Sequence, residues 1–245
     1  MTPYQDTVRT ELVRWQQAMQ KPPSALGRLS TSVQRRINRI IPRRIHQVIT
    51  ATIKQMTRAV LFGADLLNRL PEPGLTLPQR EAKVVSRINF YRKASAAEGG
   101  VTGAGGLLLG LADFPLLLGL KMKLLFEIAA LYGYSSRDYR ERVYILYVFQ
   151  LAFSSQERRQ AVYEFITDWP EHSRQLPDDI NQFDWLTFQQ EYRDYIDLVK
   201  MAQLIPGIGA AVGIVANYQL VSQLGRTAMN AYRTRWLQEN KLLLS

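Results

Sequence analysis

The chain has 245 residues, 47% of them hydrophobic, and no cysteine. That much apolar material excludes wholesale disorder, and the missing thiols exclude disulfides, thiolate-bound metals and a cysteine nucleophile. The formal net charge of +10 is unevenly placed: residues 1–100 hold 17 Lys/Arg against 6 Asp/Glu, whereas residues 101–245 hold 14 against 15.

Taken in chain order, Thr2-Pro3 reads as a helix N-cap followed by proline at the first helical position, with a helix running to about Gln20. The opening MTPYQDTVRTELVRW lacks an apolar central run, so no secretory leader is expected. Between 24 and 70, Val33, Ile37, Ile40, Ile41, Ile45, Val48, Ile49, Ile53, Met56 and Val60 recur at three- and four-residue steps, the mark of one helical face. Pro42 should kink that helix. PEPGLTLP at 71–78 reads as a linker, and a helix should begin near Pro78. It leads into a small-residue stretch, Ala94 to Gly110, which Asp113-Phe114-Pro115 should break or restart. A further helix is expected from about Pro115 to Tyr132, stopped by Gly133. Ser136 should cap a helix over 137–153 and Ser155 another over 156–169. The stretch 170–186 reads as a loop, then a helix over 187–205, a Pro206-Gly207 interruption and a last helix to about Asn240. No run alternates long enough to argue a strand.

Two apolar segments are rich in glycine. Gly99, Gly103, Gly106 and Gly110 step by four, three and four; Ala202, Gly209, Gly213 and Ala216 follow a similar spacing. Missing side chains on one face let two helix backbones approach closely, which offsets the cost of about 1 kcal/mol per interior helical glycine. The two seams are expected to pack against each other. From Met201 to Gly225 there is no charge, and from Gly99 to Leu120 only Asp113. A buried helix pair, a shallow insertion and a membrane span all stay open on that pattern, though both segments are interrupted by proline.

From Leu12 to Ala64 there are ten basic residues and no acidic one, and Arg35, Arg36, Arg39, Arg43 and Arg44 crowd the start of the second helix. Such a face suits an anionic headgroup layer, where each cation contributes about 1 kcal/mol. The competing reading is a face docked on the chain's own acids, since Glu164 to Asp197 holds nine acids and two arginines. Nucleic acid is the weaker partner, because no aromatic residues interleave the cations and no recognition motif is present.

Signals for catalysis are poor. The histidines are His46 and His172, and no metalloprotease, nucleophile-elbow or phosphate-loop pattern occurs. The glycines at 99–110 follow no strand, so they fail the dinucleotide context. Asp178, Asp179 and Asp184 match no calcium loop. No cofactor or metal is expected. Asp113 is the candidate functional carboxylate, with a helix N-cap as its simpler reading.

The small-residue run ending in Asp113-Phe114-Pro115, then Ile128-Ala129-Ala130-Leu131-Tyr132-Gly133-Tyr134, then Ile205 through Gly213 with Asn217-Tyr218, then Ala228 through Trp236, together resemble the EcsC family of bacterial proteins. The resemblance covers about residues 79–240. It implies a bacterial protein from a family named after an operon that encodes an ABC transporter, and it supplies no catalytic residues.

The expected fold is an all-α multi-helix bundle with two glycine-rich, closely packed apolar helices. The expected division is a basic helical region at 1–70, a linker at 71–78 and an EcsC-like domain at 79–245. The expected function is an interaction or accessory protein on the cytoplasmic face of the inner membrane, meeting anionic lipid and a transporter or other envelope protein. An enzyme acting on lipid or envelope material and a nucleic-acid-binding module are the alternatives.

Overall fold

The computed structural model describes residues 3–21, 43–63, 70–103, 106–196 and 210–240. Among these the regular structure is helical, apart from an isolated antiparallel bridge between Ser154 and Ile196. The order is α1 (Pro3–Gln20), α2 (Arg43–Phe62), α3 (Leu77–Gly103), α4 (Gly106–Tyr132), α5 (Tyr139–Phe153), α6 (Gln156–Thr167), α7 (Trp169–Gln175), a 3-10 turn (Ile180–Gln182), α8 (Trp185–Tyr195) and α9 (Ala210–Glu239).

The centre is α5. Every residue of it except Arg140 and Tyr147 is buried, as befits a helix apolar on nearly all sides. The end of α4 is similarly enclosed, every residue from Leu124 to Tyr132 being buried, and Phe114, Leu117, Leu118 and Met122 face inward before it. Around this pair stand α2, α3, α6 and α9, and α9 makes its most extensive contact with α3. Val8 and Leu12 of α1 and Ile49, Ile53 and Val60 of α2 belong to the same core cluster as α4 and α5, so 71–78 connects elements that share one core.

Local chemistry sets the helix ends. Thr76 starts α3 with one half of a capping box: its backbone N–H donates to Gln79 Oε1 at 3.0 Å, and its hydroxyl donates to the same oxygen at 3.1 Å. Gly133, at φ +100°, ends α4 as expected; its N–H donates to Ala130 and the Tyr134 N–H to Ala129. Two buried arginines finish the remaining carbonyls. Arg80 Nη1 donates to Leu131 O at 2.5 Å, and Arg142 Nε donates to Leu61 O at 2.9 Å, near the end of α2.

Several expectations need correction. Asp113-Phe114-Pro115 does not break the helix: α4 runs through it with Pro115 inside. Proline there forfeits a backbone hydrogen bond, and burial of Phe114, Leu117 and Leu118 around it holds the helix together. Asp113 therefore lies in a helix interior and is not an N-cap. The cap of α5 is Asp138, whose side chain accepts from Arg140 N, while Ser136 is buried and lends its carbonyl to Arg142. The segment 170–186 is partly helical, because Pro170 occupies the first turn of α7, where its missing N–H costs nothing. The helix that Pro42 was expected to kink is described from Arg43 onward, and Pro206-Gly207 lies outside the described residues.

Candidate functional site

The α3–α9 pair is fixed by buried charge. Arg233 of α9 holds Glu81 of α3 with two bonds, Nε to Oε1 at 2.6 Å and Nη2 to Oε2 at 2.8 Å. Both side chains are only 3% exposed. Tyr132 of α4 donates to Glu81 Oε1 at 3.1 Å, Tyr4 of α1 donates to Oε2, and Arg233 reaches Glu11 of α1 at 3.1 Å. One carboxylate thus ties four helices. Burial pulls the Arg233 guanidinium down, but Glu81 outweighs it and holds the value above the ordinary one.

A second carboxylate sits beside the first. Glu141 of α5 accepts from the Tyr232 hydroxyl and from Arg235 Nη1, each at 2.6 Å. Arg235 also lies over the Tyr134 ring at 3.9 Å and pairs with Glu239 at 3.0 Å. Burial raises the Glu141 carboxyl above its ordinary range, with Arg235 and the Tyr232 bond pulling the other way. Tyr132 stacks on Tyr232 at 5.9 Å and joins the two sets. Glu81, Arg233, Glu141, Tyr132 and Tyr232 are enclosed and mutually satisfied, so they set the register of α9 and are closed to a ligand.

The same antiparallel register continues along the pair. After Glu81 with Arg233 comes Ile88 against Gly225, where a Cβ on the glycine would sit 2.6 Å from Ile88 Cγ1. Next comes Arg92, whose guanidinium lies 4.3 Å from the Tyr218 ring centroid. Outside this contact a groove of about 370 Å³ opens. From α3 it takes Val85, Ile88, Asn89 and Arg92; α9 supplies Tyr218, Gln219, Ser222, Arg226 and Met229. No Asp or Glu lines it. A smaller aromatic cavity of about 130 Å³ lies between Tyr147, Phe165, Phe188 and Tyr192, where α5, α6 and α8 meet. His172 stacks on Phe165 at 3.9 Å, at the end of α6.

Of the residues singled out from sequence, Arg35, Arg36, Arg39 and Gly209 lie outside the described residues, and Arg43 and Arg44 open α2. Gly99 and Gly103 stand at the end of α3, Gly213 near the start of α9, and Gly106 and Gly110 in the first turns of α4. The antiparallel pairing brings Gly99, Gly103 and Gly213 to the same end of the α3–α9 pair. The close crossing at Gly225 and the groove residues Arg92, Tyr218 and Arg226 escaped sequence reading, because their meaning depends on which helix pairs with which. Five acids within 164–197 bond to groups other than the basic run: Glu164 with Gln160, Glu171 with Arg174 and Asp178 with Arg140, while Asp179 and Asp184 accept from nearby backbone N–H groups. Among the described residues no group of His, Asp and Glu has metal-ligating geometry, and no helix is long and apolar enough to cross a membrane.

Fold and groove define an all-helical protein with a buried Glu–Arg–Tyr lock and a cationic groove between α3 and α9. The chain belongs to the EcsC protein family, whose model matches residues 6–237 and so takes in the basic N-terminal region that the sequence resemblance left out. It is 42% identical over 230 residues to Protein EcsC of Bacillus subtilis (strain 168), covering 94% of each chain. It is 29% identical over 147 residues to the uncharacterized protein YdbA of the same organism, covering 60% of this chain and 54% of that one. No solved structure matches the chain.

Proposed function

We propose that this EcsC-family protein is an interaction or accessory protein that docks on an anionic membrane surface. The observation that carries the reading is the exposed stripe of α2. Lys54, Arg58 and Phe62 step by four along it, with Gln47 and Gln55 beside them, all exposed. The opposite face, with Ile49, Ile53, Met56 and Val60, is spent on the core. Among the described residues no ion pair engages Lys54 or Arg58. Phe62 is 48% exposed and meets the Trp185 ring edge-on at 6.1 Å, and its neighbour Leu186 is 66% exposed. The stripe thus joins cations to an apolar tip, the two kinds of contact that reversible membrane attachment combines. It continues the acid-free run that includes Arg35, Arg36, Arg39, Arg43 and Arg44. A transporter or other envelope protein is the partner class that the family resemblance adds.

Reversing those five arginines to glutamate tests the reading. The variant is expected to keep its helical circular dichroism and lose binding to phosphatidylglycerol vesicles. Unchanged binding would overturn it and make the basic run a structural partner of the chain's own acids.

A further inference from the structure

The groove between α3 and α9 is not used by the α2 stripe. Its lining divides along its length. By the register of the pair, Val85 and Met229 lie toward the Glu81–Arg233 lock, and Arg92 and Tyr218 lie toward the glycine-rich end, with Ser222 and Arg226 between. Val85 is 45% exposed and Tyr218 38% exposed, so apolar surface is open to an occupant. Arg92 is half-buried against the Tyr218 ring, and its Nε is buried without a hydrogen-bond partner among the described residues. An anion seated in the groove would form charge-assisted hydrogen bonds with the outer nitrogens of the Arg92 guanidinium. Asn89, Gln219 and Ser222 add further polar groups, and no carboxylate competes for the site.

We infer that this groove seats the headgroup of an anionic phospholipid, held by Arg92 and Arg226 and flanked by Val85 and Met229. The volume of about 370 Å³ matches a single small-molecule site, whereas a partner helix needs a longer trough. The two cations select a negative charge, and Val85 and Met229 give apolar contact to the esterified glycerol backbone. Position supports a bilayer source. Arg226 is the first charge after the uncharged run from Met201 to Gly225, and Arg92-Lys93 are the last cations before the small-residue run from Ala94 to Gly110. Cations and a tyrosine bordering apolar segments form the kind of belt that meets headgroups. The inference rests on the membrane-surface reading, which places the chain where such lipids are.

The test uses the full chain and dihexanoyl-phosphatidylglycerol below its micelle concentration, so that no vesicle surface is involved. Isothermal titration should give saturable binding. Two variants probe the groove: Arg92→Gln with Arg226→Gln removes its charge, and Gln219→Trp fills it from an exposed position while keeping the charge. Both should weaken binding about tenfold or more, because the site needs both cations and space. Dihexanoyl-phosphatidylcholine should bind weakly. No saturable binding by the wild type, or binding by either variant as tight as the wild type's, overturns the inference. So does glycerol 3-phosphate binding as tightly as the lipid, which would make the site one for a free phosphate. An acidic amphipathic peptide that binds in the lipid's place would also overturn it, in favour of a protein partner. Flotation with intact phosphatidylglycerol vesicles, run in parallel, reports on the surface reading separately: a chain that floats but ignores the short-chain lipid loses the groove and keeps the surface.

Discussion

Arg233 grips both carboxylate oxygens of Glu81 at 2.6 and 2.8 Å, across 152 positions of sequence and in a site closed to solvent. Each charge is tolerable only because the other is there. Arg233→Met should therefore lower stability by about 3–5 kcal/mol, because it strands a buried carboxylate. Adding Glu81→Gln should recover part of the loss, since the amide oxygen still accepts from Tyr132 and no charge is left behind. Urea unfolding of the single and double variants measures this. Additive losses would mean that the pair does not act as a pair.

The close crossing of α3 and α9 should respond to a single methyl group. Gly225→Ala places a Cβ 2.6 Å from Ile88 Cγ1 and 2.9 Å from its Cδ1 and Cγ2. The expected cost is about 1–3 kcal/mol. Ile88→Ala on that background should return part of it, which a thermal or urea double-mutant cycle would register as negative coupling. Gly119 has open space around the same position, so Gly119→Ala should be neutral or slightly stabilising.

Helix α4 carries Pro115 in its interior. Pro115→Ala restores a backbone N–H to a helix that already exists and should raise stability by up to about 3 kcal/mol. An unchanged or lowered midpoint would mean that the chain needs a discontinuity at Asp113-Phe114-Pro115 after all.

Glu141 gives stability a pH dependence of definite sign. Its carboxyl titrates above the ordinary value of 4.5, chiefly because it is buried. As pH falls, the native state takes up this proton before the unfolded chain does. Stability contributed by Glu141 therefore rises as pH falls through the folded value towards 4.5 and levels off below it. Glu141→Gln lacks that proton, so the stability gap between wild type and variant should widen as pH falls across the window. A gap independent of pH would contradict the raised value.

Much of the scaffold was legible because it is local. Proline at position 3, the Val–Ile spacing of α2, the stop at Gly133 and the long final helix are set by residues within a turn or two. The misreadings came from tertiary override. Pro115 sits in a helix because Phe114, Leu117 and Leu118 are buried around it, and Asp138 caps α5 in place of Ser136 because the helix begins only at Tyr139, directly after it. The lock was invisible for another reason. Glu81, Glu141, Arg233 and Arg235 look like ordinary surface charges in sequence, and only the α3–α9 and α5–α9 contacts bury them together. The groove depends on the same pairing, so neither Arg92 nor Tyr218 stood out.

The central claim is attachment to an anionic surface, and vesicle flotation of the full chain tests it most directly. Vesicles of phosphatidylglycerol with phosphatidylcholine should carry the protein to the top of the gradient, and vesicles of phosphatidylcholine alone should not. Raising salt from about 0.1 M to 1 M shortens the screening length from ~10 to ~3 Å and should release most of it. Equal flotation with neutral vesicles, or none with anionic ones, would contradict the account.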